Sequence, residues 1–129
     1  MPKQSILLIE HETHLRYILS DCLSELGGWE VTPSTSIQEG IQLCEKKRPD
    51  VILMDASAPE PEALILIEKL KQYSSTQAVP IVLISALANW LTPKEFHQMG
   101  FGGAIGKPFN PSTLSAQIFH LASLKSAKR

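Results

Sequence analysis

Long apolar runs are missing from this chain. None approaches the roughly 20 residues that a membrane-spanning helix needs. The run near the N-terminus stops at Glu10, too soon for the apolar core of a secretory signal. Cysteine is scarce, with only Cys22 and Cys44. Both fall on core-facing positions of predicted helices, which argues against a disulfide-stapled secreted scaffold and reads as two buried thiols in a reducing compartment. A surplus of charge is missing too: 12 Lys and Arg face 13 Asp and Glu, for a formal net charge of −1. No basic face for nucleic acid is expected from that balance. Linkers, internal repeats and low-complexity segments are also absent. At 129 residues the chain has the length of one domain and can bury about two-thirds of its unfolded surface. The expectation is a cytoplasmic domain with no membrane and no nucleic-acid partner.

What the chain does have is alternation, with strand and helix signals following each other five times. Strands are predicted at about Ser5–Glu10, Trp29–Thr32, Asp50–Asp55, Pro80–Ser85 and Gly103–Gly106. Three of them carry four consecutive apolar residues, Ile6–Ile9, Val51–Met54 and Ile81–Ile84, which suits strands buried on both faces of a parallel sheet. After the first strand, Leu15, Ile18, Leu19, Cys22, Leu23 and Leu26 form one stripe at helical period, and Gly27-Gly28 stops it. Ser36 caps a second helix, with Glu39 placed as in a capping box and Ile37, Ile41 and Cys44 facing inward. A third helix is expected from about Pro61 to Tyr73, with Leu64, Ile67 and Leu70 on its buried side. Thr92-Pro93 starts a short fourth helix ending at Gly100, and Asn110-Pro111 starts the last, with Leu114, Ile118 and Leu121 turned inward. Residues 1–124 then form the domain, and 125–129 a short basic tail that frays. Alternating βα units predict an α/β fold with helices on both faces and right-handed crossovers.

Polar residues stand where the strand runs end: Glu10 with His11, Asp55, Ser85 and, after the weak fifth strand, Lys107. In such sheets the working site lies beyond the carboxyl ends of the strands. Taken singly, each residue has a plainer role, as a turn or cap aspartate, a loop serine or a solvated lysine. Taken together on this frame, they can receive and hold an anionic group. A carboxylate at a strand end can attack phosphorus and become an acyl phosphate. That transfer needs a divalent cation on the moving oxygens, and magnesium takes hard oxygen donors such as Glu10, with Glu12 a further candidate.

The pieces Ile6-Leu7-Leu8-Ile9-Glu10-His11-Glu12, Pro49–Asp55 with Pro59, Val79–Ala86 and Lys107-Pro108-Phe109 resemble those of a response regulator receiver domain of two-component signalling, over essentially the whole length. The resemblance implies a flavodoxin-like doubly wound (βα)5 fold with strand order 2-1-3-4-5. It implies that Asp55 is the phosphoacceptor, Glu10 and His11 hold the acidic-pair positions, and Ser57 offers its backbone carbonyl to Mg2+. Ser85 is then the hydroxyl and Lys107 the paired lysine, with a cis Lys107–Pro108 bond. It also implies a histidine kinase or phosphotransfer protein as donor and a signalling module rather than an enzyme. With no effector following Arg129, output would pass to a downstream protein. The expected partner face is the fourth helix, fifth strand and last helix, where Phe96 and Ile105 could support a homodimer.

Two positions depart from the family pattern. His11 stands where that family usually has Asp, which removes a negative charge and a hard oxygen donor and predicts weakened magnesium binding. A plainer role has His11 hydrogen-bonded to Glu12 or Asp55. With His14, Glu10 and Glu12 it does not make the His-Glu-x-x-His zinc spacing, and His97 and His120 read as surface residues. Ala104 stands where an aromatic residue is common, so loop and helix movements after the fourth strand would carry more of any switch. Trp90 and Leu91 lie there, the tryptophan as packing plug or exposed anchor. Glu62-Ala63 replaces the usual Asp-Gly after the third strand. Two readings therefore stand side by side: a phosphoaccepting receiver, and a pseudo-receiver that keeps the fold as an interaction module. A flavodoxin-like electron carrier would need a phosphate loop after the first strand, where Glu10-His11-Glu12 would repel the phosphate.

Overall fold

Period-2 alternation decides which side of the sheet each strand residue serves. A computed structural model describes residues 4–55, 64, 68, 69, 72 and 78–127. Five strands form one sheet: β1 (Ser5–Ile9), β2 (Glu30–Ser34), β3 (Val51–Asp55), β4 (Ile81–Ile84) and β5 (Gly103–Ile105). Every pairing is parallel, in the order β2-β1-β3-β4-β5. Leu7, Ile9, Ile52, Met54, Ile81 and Leu83 face one core, with Cys44, Phe96 and Phe101. Ile6, Leu8, Val51, Leu53, Val82 and Ile84 face the other, with Leu19, Leu23, Trp29, Leu114 and Ile118. Because both faces are covered, the central strands read as unbroken apolar runs.

The helices flanking the sheet are α1 (Thr13–Asp21), α2 (Ile37–Lys46), α3 (Pro93–Met99) and α4 (Pro111–Ala127). The starts of α2, α3 and α4 follow the predicted caps. Thr92 and Glu95 form a reciprocal capping box with Pro93 in the first turn, and Gly100 closes α3 at φ +106°, where glycine fits best. Asn110 Oδ1 accepts from the Ser112 amide at 3.0 Å. Ser36 Oγ accepts from the Glu39 amide at 3.1 Å, but the Glu39 carboxylate returns to the Thr35 amide at 2.7 Å, one residue before the cap. No helix among the described residues is long and apolar enough to cross a membrane.

Several expectations are corrected. The second strand lies at Glu30–Ser34 and includes Pro33; an edge strand needs backbone donors on one side only, so it tolerates proline. The helix after β1 does not stay regular: Cys22–Leu26 is a π-helical turn, whose extra residue per turn shifts the apolar phase. Leu26 is consequently exposed, as is Ile18, while Leu19, Cys22 and Leu23 are buried and Leu15 is half-buried. Leu64, expected to be buried, is exposed, and the rest of that predicted helix's buried side, Ile67 and Leu70, lies outside the described residues. The helical backbone of α4 runs on through Lys125–Ala127. Phe96 and Ile105 are core residues, so neither can form a dimer face.

Candidate functional site

The register carries the strand-end residues to one edge of the sheet. Ile9 pairs with Met54, Asp55 with Ile84 and Ile84 with Ile105. Glu10 and Asp55, each next after the paired Ile9 and Met54, are therefore neighbours at the ends of β1 and β3; Ser85 follows Ile84, the partner of Asp55, and Lys107 lies two residues past β5. Lys107 Nζ lies 2.6 Å from Asp55 Oδ1. The Asp55 side chain is 4% exposed and the Lys107 side chain 32%. Asp55 Oδ2 is buried and has no hydrogen-bond partner among the described residues. Ser85 is fully buried, its amide tied to Ile105 O at 2.9 Å. The Lys107–Pro108 peptide is cis. Leu15, Asp55, Lys107, Pro108 and Phe109 line an open, largely apolar depression of about 450 Å³ in front of the carboxylate.

Glu10 is held by its backbone and by a neighbouring amide. Its N–H donates to Ser34 O at 2.9 Å, and its Oε2 accepts from the Glu12 amide at 2.8 Å. The carboxylate is 3% exposed. Burial pushes its pKa above the ordinary value and nearby Asp55 adds to the rise, while the Glu12 amide, His11 and Lys107 pull the other way. Glu12 takes a different role: its carboxylate caps α1 by accepting from the His14 and Leu15 amides at 3.1 and 2.7 Å. Those bonds hold its carboxyl below the usual range.

His11 does not join the cleft. Its side chain is 89% exposed, with Nδ1 3.6 Å from Glu10 Oε2, and its partner is thus neither Glu12 nor Asp55. His14 rests against Glu12 at 3.5 Å. His97, expected at the surface, is half-buried, with Nε2 3.0 Å from Gly102 O. His120 is exposed, and both cysteines are buried as expected. Burial pushes the Cys44 thiol up to about 11, which makes it a poor nucleophile. Trp90 is 80% exposed, so it is not a plug. Ser57, Pro59 and Glu62-Ala63 lie outside the described residues. No group of three or more His, Cys, Asp or Glu side chains able to hold a metal occurs among the described residues.

Sequence reasoning passes over Arg16. Its Nη1 donates to the carbonyls of Glu10 and His11 at 3.0 and 3.3 Å. A cation near a helix N-terminus is unfavourable to the helix dipole, and that misplacement is the signal by which a local task could have been noticed.

A family model for the response regulator receiver domain matches residues 6–119. The probable transcriptional regulator ycf27 of Guillardia theta is 28% identical over 116 residues, covering 90% of this chain and 44% of that protein. The chain thus spans less than half the length of this relative. The polar-differentiation response regulator DivK of Brucella anthropi is 27% identical over 110 residues, covering 85% of this chain and 88% of that one. Among solved structures, the receiver domain of sensor histidine kinase PA1611 from Pseudomonas aeruginosa PAO1 superposes with a TM-score of 0.77 at 24% identity, over 95% of this chain and 99% of that one. That structure holds a magnesium ion in its active-site cleft.

Proposed function

The chain belongs to the response regulator receiver domain family, and from that premise we propose that Asp55 accepts a phosphoryl group from a phosphohistidine of a histidine kinase or phosphotransfer protein. One observation carries the reading most: a buried carboxylate with a lysine on one oxygen and no hydrogen-bond partner among the described residues on the other. An Asp55 oxygen attacks phosphorus, the O–P bond forms as the P–N bond breaks, and the electron pair leaves with the imidazole, which takes up a proton. Lys107 neutralises one side of the new anion, and Ser85, next after the strand partner of Asp55, is the hydroxyl assigned to it. The acyl phosphate carries about 1.5 to 2 negative charges where the free carboxylate carried one, and the phosphorylated domain signals to a downstream protein by contact.

The residues fit a magnesium ion. Two buried carboxylates offer hard oxygens, and magnesium is commonly held by one or two carboxylates with waters completing its shell. Asp55 Oδ2 is an acceptor without a hydrogen-bond partner among the described residues, and a magnesium ion coordinated in the cleft of the PA1611 receiver supports the assignment. Glu10 and Asp55 would hold the ion here, together with the Ser57 carbonyl. When bound, it would neutralise the oxygens of the transferring group.

A second reading is favoured by His11. Turned to solvent and lacking a hard oxygen, it leaves the cleft poorer in donors, as in a pseudo-receiver that acts by contact alone. Beryllofluoride or acetyl phosphate with magnesium separates the two. With acetyl phosphate, intact mass should show one phosphoryl adduct, lost in Asp55→Asn; with beryllofluoride, which carries no phosphoryl group, Trp90 fluorescence should shift. No adduct across millimolar magnesium would establish the pseudo-receiver.

A further inference from the structure

The Glu10 carboxylate is held in the cleft by its surroundings. The side chain is 3% exposed and lies near a second carboxylate, Asp55, so its position depends on what bonds it. Within the β1–α1 turn, the restraint is the Glu12 amide on Oε2 at 2.8 Å. That amide is aimed by the turn between β1 and α1, whose two carbonyls, those of Glu10 and His11, both accept from Arg16 Nη1. Arg16 is half-buried, and its own amide is anchored to Glu12 O at 2.9 Å. The turn is thus tied at both ends by one residue of α1. On the far side, the charge of Arg16 also reaches Glu39 of α2. Its carboxyl lies below the ordinary range chiefly through the Thr35 amide, with Arg16 adding a smaller charge effect.

We propose that Arg16 is a positioning residue for the phosphoacceptor cleft. Its guanidinium fixes the β1–α1 turn and so keeps the Glu10 carboxylate beside Asp55, where a hard divalent cation is received. This assignment rests on the receiver reading for its purpose, but not for its geometry. Both carbonyls accept from one nitrogen, Nη1, whose N–H directions are fixed by the guanidinium plane, whereas a lysine ammonium would approach them as a rotating point charge on a flexible stem.

Amide hydrogen exchange on the full chain without metal tests the geometry first. Arg16→Ala should speed exchange of the Glu12 amide by about tenfold or more, a loss of one charge-assisted bond's worth of order. Core amides such as those of Leu114 and Ile118 should keep their rates, and Arg16→Lys should recover part of the protection. A magnesium titration followed at the Glu10 and Glu12 amide resonances should then show about 10- to 100-fold weaker binding in Arg16→Ala, the usual cost of losing an outer support of a metal ligand. An unchanged Glu12 amide would overturn the proposal, as would equal loss of protection throughout the core. If the wild type takes up neither magnesium nor beryllofluoride, the receiver reading fails, while the metal-free exchange data still decide the role of Arg16.

Discussion

Lys107 Nζ sits 2.6 Å from Asp55 Oδ1, and Glu10 shares the same buried edge. The lysine therefore offsets negative charge that would otherwise stand with little water around it. Replacing it with an isosteric apolar residue, Lys107→Met, leaves the Asp55 carboxylate without that partner. The cost should be about 1–3 kcal/mol at neutral pH, below the range for a fully buried pair because Lys107 is partly in solvent. Urea unfolding of Lys107→Met, Asp55→Asn and the double variant closes a thermodynamic cycle. The lysine substitution should cost much less in the Asp55→Asn background. An equal cost in both backgrounds would mean that Lys107 contributes through packing alone.

Two glutamates separated by one residue should respond to pH in opposite senses. The Glu10 pKa is raised from its ordinary 4.5, first by burial and further by Asp55. The folded state then holds its proton more tightly than the unfolded chain does. Its contribution to stability accordingly falls as pH rises from 4.5 through the raised value. The Glu12 pKa is lowered from 4.5 by the Leu15 and His14 amides. Its contribution is present above 4.5 and is lost as pH falls through the lowered value. Glu10→Gln should therefore be relatively more stable at neutral pH than at pH 4, and Glu12→Gln relatively less stable at neutral pH. Denaturation midpoints across pH 3 to 8 decide it, and parallel profiles for the two variants would refute the assignment of causes.

How far the sequence could be read follows from what each signal encodes. Ile6–Ile9, Val51–Met54 and Ile81–Ile84 announce double burial directly, and the two core clusters divide them by parity. Thr92, Glu95 and Gly100 announce the ends of α3 through local hydrogen bonds. Glu10, Asp55, Ser85 and Lys107 could be placed at one edge because a parallel sheet gathers strand ends. The π-helical turn at Cys22–Leu26 had no such signal. Only tertiary packing shows why it forms, since Cys22 Sγ meets Pro111 O at 3.2 Å and Trp29 Nε1 donates to Ser115 Oγ at 2.6 Å. His97 was misjudged for the same reason: its partner, Gly102 O, comes from the turn beyond the helix. Arg16 acts on carbonyls, which no residue type reveals.

That same junction between the π-helical turn and α4 yields a packing prediction. A Cβ at Gly27 would press onto Ser115 Oγ and lie 2.7 Å from Trp29 Cδ1. Neither neighbour is free to retreat, because Trp29 is buried and the two are bonded to each other. Gly27→Ala should destabilise by about 1–3 kcal/mol, the usual cost of overpacking. Trp29 emission should change with it, read in a Trp90→Phe background so that only the buried indole reports. Unchanged stability would show that α4 can move away freely.

Position 11 separates the two functional readings by the sign of a stability difference. The imidazole is 89% exposed and 3.6 Å from Glu10 Oε2, so His11→Asp removes little packing. What it adds is a third carboxylate near Glu10 and Asp55. Without metal, that charge repels its neighbours and should cost about 0.5–1 kcal/mol, the scale of exposed charge pairs. With a cation in the cleft, the same charge becomes a hard oxygen donor. Binding stabilises the folded state by an amount that grows with ligand over dissociation constant, about 2.7 kcal/mol at a hundredfold excess. His11→Asp should then be less stable than the wild type in chelator and more stable in millimolar magnesium. Thermal melts of both proteins in the two buffers measure this directly. If magnesium leaves the difference unchanged, position 11 is not what sets the affinity of the cleft for the ion.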